Sequence, residues 1–211
     1  MAQYKRIVVI TFICISSLLF SAAKTLVDLP QTGIVKEVYD GDTVLLSTGQ
    51  SVRYLGIDTT EIGEEFHGKA SELNRSLVMG KKIRLVYDKE TVDKYKRLLA
   101  YVFVTVDGKE IFVNKRMIEE GYAVIYKGKP SNRYYKELLL AQQTAINNNK
   151  GFWPLHLLET ENVYIGSKSS YVFHRKNCRG IKNMNPENRV EFTSKKEALL
   201  QGYSPCRSCK P

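Results

Sequence analysis

Three short stretches carry side chains whose types and spacing suit work on a phosphodiester. They are Asp40-Gly41-Asp42-Thr43-Val44, the run VRYLGIDTTE from Val52 to Glu61, and the run DKYKRLLAY from Asp93 to Tyr101. Together they offer carboxylates at Asp42, Asp58 and Glu61, an oxygen ligand at Thr59, and guanidinium groups at Arg53 and Arg97. A hard cation such as Ca2+ takes several oxygen ligands. An attacking water needs a carboxylate to orient it or to take its proton. A five-coordinate phosphate gathers negative charge, and arginine forks bind such oxygens in pairs without losing their own charge. Each stretch alone has an ordinary explanation. Asp-Gly is a common turn pair, Asp58-Thr59 reads as a strand end, Arg53 and Glu61 as solvated surface residues, and Asp93, Lys94 and Arg97 as a charged loop. Their order and spacing together point to one site.

A second constellation lies near the C-terminus. His174 and Cys178 are four apart, Cys206 and Cys209 are three apart, and 27 residues separate Cys178 from Cys206. A Cys-x-x-Cys turn places two thiolates on one metal, and a second pair brought in by the fold completes a tetrahedral Cys3His zinc site. A module of 48 residues has a small core and gains much of its stability from such a cross-link. The alternative is a short Cys206–Cys209 disulfide that leaves Cys178 free and His174 solvated.

The elements that must position these groups follow from apolar alternation and turn residues. Strands are expected near 33–39, 43–48 and 51–57, then a helix over 64–79 stopped by Gly80. Strands near 82–87 and 99–106 follow, with Asp107-Gly108 as a hairpin turn into 110–113. A short helix over 114–120 and a longer one over about 132–149, capped by Ser131 and ended by Gly151, complete the unit. Five strands with a helix after the third predict a closed OB-type barrel, whose mouth and sheet face commonly bind nucleic acid strands. Phe152-Trp153-Pro154 closes it.

Composition frames these motifs. The chain has 211 residues, 43% hydrophobic and 26% charged, which argues against disorder. Lys5 and Arg6, the mostly apolar run 7–20 and Ser21-Ala22-Ala23 read as an export signal cleaved near Ala23. The run is shorter than the roughly 20 residues of a transmembrane span, although an uncleaved anchor is the rival reading. Residues 24–163 hold 20 cations and 19 anions, whereas residues 164–211 hold 10 cations and 3 anions. The basic surplus therefore belongs to the tail and points to a polyanion, or else to a plain solubilising charge.

The three stretches resemble the staphylococcal nuclease (thermonuclease) family over about residues 33–153. The likeness extends through Ala70 and its helix, DKYKRLLAYVF (93–103) and VNKRMIEEGYAVIY (113–126). The resemblance implies a Ca2+-dependent phosphodiesterase on an OB barrel, acting on DNA and RNA and leaving 3′-phosphates and 5′-hydroxyls. By position it implies that Asp42 and Asp58 bind Ca2+ through their side chains and Thr59 through its carbonyl. Glu61 falls where the family has its water-orienting carboxylate and proposed general base. Arg53 and Arg97 fall at the phosphate-clamping arginines, Lys94 and Tyr95 at substrate-phosphate contacts, and Tyr126, with a one-residue gap, at a tyrosine lining the nucleotide site. Three features depart from the pattern: Thr60 replaces a proline, Lys96 replaces a glycine, and the stretch from Glu61 to the helix is shorter.

The tail resembles the zinc-binding domain of the bacterial DNA-alkylation-response protein Ada, through YIGSKSSYVFHRKNC (164–178) and PENRVEFTSKKEALLQGYSPCRSCKP (186–211). That family uses four cysteine ligands, and here His174 takes the first position, so its methyl-accepting chemistry does not carry over. The resemblance implies a metal-held fold with a basic face, on which Arg175, Lys176, Arg179 and Lys182 surround the first ligand pair.

The expectation is thus a β-rich α+β protein, with a five-stranded OB-fold barrel, packed helices and a small C-terminal zinc module. Its parts are a signal peptide (1–23), a nuclease-like domain (30–154), a linker (155–163) and the module (164–211). The expected function is an exported Ca2+-dependent endonuclease acting on DNA and/or RNA, with a structural Zn2+ and a tail that adds affinity without taking part in cleavage. No feature calls for an obligate protein partner, and the mature chain is not expected to be membrane-embedded. The alternative is a non-catalytic nucleic-acid-binding OB-fold protein with a zinc-stabilised basic tail. Such a protein would be free to lose Glu61 or either arginine, and none is lost. A third reading makes the tail a protein-docking or envelope-tethering element.

Overall fold

The computed structural model describes residues 29–126 and 133–211. The export signal and Ser131 lie outside the described residues. Among the described residues no helix is long and apolar enough to cross a membrane.

The chain opens with β1 (Thr32–Val38), β2 (Thr43–Leu46) and β3 (Ser51–Tyr54), each antiparallel to the one before it. The expected third strand is two pieces. Gly56, at φ 76°, turns the chain between β3 and β4 (Ile57–Thr59). Helix α1 (His67–Val78) follows and ends at Gly80, whose φ of 71° glycine adopts without a Cβ clash. It starts three residues later than expected, because Glu61 to Phe66 form a tight turn instead: Glu64 N–H donates to the Glu61 carbonyl and Glu61 N–H to the Glu64 carboxylate.

Strands β5 (Lys82–Val92) and β6 (Leu98–Val106) form the long hairpin of the barrel. The β5 strand runs five residues past its expected end, with an irregular register before Val92 pairs with Leu98. The sheet order is β3-β2-β1-β5-β6, and β3 also pairs in parallel with β6, so five strands close into an OB-like barrel. That closing pair sets Arg53 opposite Leu99, and Arg97 immediately precedes β6. Asp107 and Gly108, both at positive φ, turn the chain into β7 (Lys109–Phe112). Val35, Leu46, Val52, Leu85, Val102 and Val104 are among the buried side chains of the core.

Helix α2 (Val113–Glu119) leads to β8 (Ala123–Ile125), which pairs with β4. Helix α3 (Tyr135–Asn147) has Tyr134 at its cap position, with no side-chain cap bond. It stops before Gly151, whose glycine answers a different need. A Cβ there would lie 2.1 Å from the Gly121 carbonyl oxygen, because the two glycines cross backbone to backbone.

The short helix α4 (Trp153–His156) precedes the C-terminal unit of β9 (Tyr164–Ser167), β10 (Val172–Arg175), β11 (Arg189–Phe192), α5 (Lys195–Leu200) and β12 (Ser204–Pro205). Its sheet order is β11-β9-β10-β12. This unit shares a core with the helical side of the barrel: Val124, Ala145, Ile146, Phe152 and Trp153 pack with Tyr164, Phe173, Phe192, Leu199 and Tyr203. Burying each large apolar side chain there contributes about 1.5–3 kcal/mol. Polar groups match across the same seam. Buried Gln142 accepts from Ile125 N–H at 2.8 Å and donates to the Leu199 carbonyl at 2.7 Å. Ser204 Oγ donates to the Ile125 carbonyl at 2.6 Å.

Candidate active site and metal centre

One cavity of about 100 Å3 is lined by Asp40, Asp42, Asp58 and Glu61, by Arg53, Arg97 and Arg207, and by Thr43, Thr59 and Thr60. The barrel brings the five expected reactive groups, Asp42, Asp58, Glu61, Arg53 and Arg97, to this one opening.

Asp42 ends the turn between β1 and β2 and is 4% exposed, so its carboxylate must be satisfied internally. Oδ2 accepts from Thr59 N–H and Oγ1, both at 3.0 Å, and Oδ1 accepts from Thr43 Oγ1 at 3.0 Å and pairs with Arg53 Nε at 3.0 Å. Thr59 thereby ties β4 to the turn. The neighbouring carboxyl of Asp40 is pushed above the usual carboxylate range by burial and by the Asp42 charge. The cavity thus holds four carboxyl groups against three guanidinium groups, with oxygen donors throughout. That donor set fits a hard divalent cation.

Arg53 is the internal brace. Nη1 donates to the carbonyls of Tyr54 (2.6 Å) and Ile57 (2.9 Å), and Nη2 donates to Asp58 at 2.8 Å. Arg97 is held by Asp93, which accepts from its Nε at 2.8 Å and pairs with Nη2 at 2.7 Å. Burial pushes the Asp93 carboxyl up, but the bonds from Arg97 outweigh it and leave the group below its ordinary range. Lys96, at the glycine position of the family pattern, adopts φ 64° in this turn. A side chain there costs on the order of 1 kcal/mol.

Glu61 sits on the loop at the mouth and is exposed. Its loop is tied to α1 by a 2.9 Å bond between His67 Nδ1 and the Thr60 carbonyl. Lys94, Tyr95 and Tyr126 do not line the cavity. Tyr95 is 68% exposed, with Lys94 Nζ and the Arg97 guanidinium 4.9 and 5.5 Å from its ring centre. Tyr126 approaches the site through Arg207, whose guanidinium lies 5.3 Å from its ring centre.

Arg207 is the residue that sequence reasoning missed. Its Nε donates to Asp58 Oδ2 at 2.9 Å and its Nη2 donates to Asp58 Oδ1. Next to it, Lys210 donates to Glu64. A zinc-ligand spacing such as CRSC says nothing about which surface the loop faces, and the partners lie 149 positions apart.

At the second centre, the ligand atoms of His174, Cys178, Cys206 and Cys209 all lie within 4.8 Å of one another. Among the described residues no other set of three or more such groups gathers this tightly. All three thiols are free, so Cys206 and Cys209 are not joined. His174 Nδ1 is buried without a hydrogen-bond partner, and burial holds the imidazole below its usual range, toward the neutral, metal-binding form. Backbone N–H groups of Gly180 and Arg175 donate to the sulfurs of Cys178 (3.3 Å) and Cys209 (3.4 Å). Burial pushes the Cys209 thiol up to about 12. A bound cation is what lets such a thiol ionise. The cluster fits zinc, with His174 and the three cysteines as its ligands.

A closed OB-like barrel whose wall gathers acids and arginines, joined to a zinc-binding module, defines a nuclease-type hydrolase with a metal-held appendage. The chain belongs to the Staphylococcal nuclease homologue family, whose match covers residues 51–154, and residues 159–211 match the Metal binding domain of Ada. It is similar to a thermonuclease of Staphylococcus hyicus, 35% identical over 132 residues that cover 58% of this chain and 76% of the relative. It is also similar to endonuclease YncB of Bacillus subtilis, 35% identical over 147 residues that cover 64% of this chain and 62% of the relative. A thermonuclease of Staphylococcus intermedius is 35% identical over 129 residues, covering 57% of this chain and 74% of the relative. Family membership implies a nucleic acid substrate.

Proposed function

We propose that this cavity is a Ca2+-dependent phosphodiesterase site that cleaves DNA and/or RNA to 3′-phosphate products, in a protein exported by its N-terminal segment. The observation that carries the reading is the convergence of Asp42, Asp58 and Glu61 with Arg53 and Arg97 around one opening. The carboxylates of Asp42 and Asp58, with the Thr59 carbonyl, would hold the ion, which when bound supplies positive charge beside the phosphate. Glu61 is the one acid of the set left solvated, and it orients the attacking water and takes its proton. Arg97, steadied by Asp93, offers its remaining N–H groups to the phosphate oxygens as charge develops. Arg53 spends its donors on Asp42, Asp58 and two carbonyls, and so fixes the geometry of both acids.

The test is incubation of the purified protein with DNA and with RNA, with Ca2+ or with chelator, followed by analysis of the product termini. Calcium-dependent cleavage with 3′-phosphate ends is expected. Glu61→Gln and Arg97→Ala should each lower the rate on the order of 10²-fold or more, and wild-type rates in both variants would overturn the assignment. Export follows from Lys5, Arg6 and the apolar run ahead of Ala23. N-terminal sequencing of material from the medium or envelope should begin near Lys24.

A further inference from the structure

The zinc loop reaches into the nuclease cavity. Arg207 lies between the ligands Cys206 and Cys209, and it lines the same opening as Arg53 and Arg97. Its side chain is 57% exposed while that of Arg53 is 12% exposed, so it is far more open to an incoming anion.

The decisive observation is how the donors are spent. A guanidinium has five N–H groups. Arg53 commits four of them, to Tyr54, Ile57, Asp58 and Asp42, and keeps one. Arg97 commits its Nε and one Nη2 hydrogen to Asp93 and keeps three. Arg207 commits its Nε and one Nη2 hydrogen to Asp58 and keeps three. The capacity of the opening to grip phosphate oxygens therefore rests mainly on Arg97 and Arg207.

The loop that carries Arg207 is also held in advance. Cys206 N–H donates to the Phe173 carbonyl and Lys210 N–H to the Cys206 carbonyl, both at 2.9 Å, and the metal ligands bracket the residue on either side. A fixed backbone leaves less ordering cost to meet when a ligand binds. A groove of about 570 Å3 runs on from the cavity between barrel and module, and Asp58, Thr59, Thr60, Glu61 and Arg207 line both spaces. Arg207 stands at their junction.

We propose that Arg207 is a substrate-binding residue of the nuclease cleft. It takes a nucleic acid phosphodiester where the strand passes from the cavity into the groove, so that the zinc module builds part of the substrate site. This rests on the nuclease reading above, and it gives a place in the cleft to the expectation that the tail adds affinity without taking part in cleavage.

The experiment uses the full zinc-loaded chain in the Glu61→Gln background, so that its result does not depend on hydrolysis. The probe is a fluorescent single-stranded oligonucleotide with a phosphorothioate backbone, read by anisotropy across a salt series. Arg207→Ala should weaken binding on the order of 10-fold, the loss of one charge-assisted contact, and reduce the salt slope by about one phosphate. Arg207→Lys should recover part of the affinity at the wild-type slope. In the active background, KM should rise by the same factor with little change in kcat. Zinc content is measured for each variant, and Arg207→Gln replaces the alanine variant if that one loses metal. Equal affinity and equal slope would reduce Arg207 to a clamp on Asp58 and overturn the proposal. Tighter binding by the alanine variant would also overturn it, because Arg207 would then be an obstruction.

Discussion

The two polar centres of this protein are built on opposite plans. At the zinc centre four ligand atoms lie within 4.8 Å of one another, three of the four residues are buried, and backbone N–H groups brace two of the sulfurs. In the barrel, the acids are spread along a turn, a strand end and an exposed loop, and arginines rather than one another hold them apart. Closed coordination suits a structural metal, whereas an open set with accessible positions suits chemistry. The difference teaches that the first centre contributes rigidity and the second can exchange partners. Arg207 is where the rigid centre lends a side chain to the open one.

The largest expected effect breaks the comparison at its rigid end. A structural zinc site can contribute on the order of 10 kcal/mol to folding. Cys178→Ser should therefore lose stoichiometric zinc and lower Tm on the order of 10 °C or more, because the shared core around Phe173 and Tyr203 loses its support. Metal analysis and calorimetry read both quantities, and a variant with full zinc content and unchanged Tm would show that the cluster does not hold the fold.

A smaller effect sharpens the seam between the two units. Gln142 is fully buried and bonds both sides. Gln142→Leu leaves the Ile125 N–H and the Leu199 carbonyl without partners, at a cost of about 1–3 kcal/mol. Denaturant unfolding should show a lower midpoint with m unchanged. A midpoint equal to wild type would mean that the two units lean on each other less than the buried amide implies.

The smallest effect concerns the contact between Lys210 and Glu64. The hydrogen bond from Lys210 holds the Glu64 carboxyl below its ordinary value of 4.5. A depressed carboxyl adds stability that is full above the unfolded value and fades as pH falls through the folded one. The gap in Tm between wild type and Glu64→Gln should therefore be small at neutral pH and should close as pH falls below 4.5. A gap that widens in acid would contradict the pairing.

Much of the barrel was legible because its strands carry clustered apolar residues, alternating in β3, and because Gly80 and Asp107-Gly108 mark where elements stop, whereas the turn at Gly56 lay hidden inside the expected third strand. The barrel acids and arginines were legible because they sit in three compact stretches that the closing β3–β6 pair brings together. The polar tail of β5 hid its true length, since Asp88 to Thr91 carry no apolar signal yet stay in the strand. The shared core was hidden for a related reason. Gln142 and Ser204 look like surface residues in the sequence, and only a partner from the other unit makes their burial tolerable. Gly151 was read as a helix stop, whereas its place is set by a backbone crossing with Gly121, 30 positions away, which no local pattern encodes.

The crossing of aromatic side chains between the two units has a practical corollary. A chain trimmed after Glu159 would keep every reactive group of the barrel, yet it would turn the faces of Phe152, Trp153 and Ile146 toward water. The appendage is thus no detachable accessory. Whoever wishes to separate cleavage from its metal-bound companion must first repaint that greasy wall with polar residues.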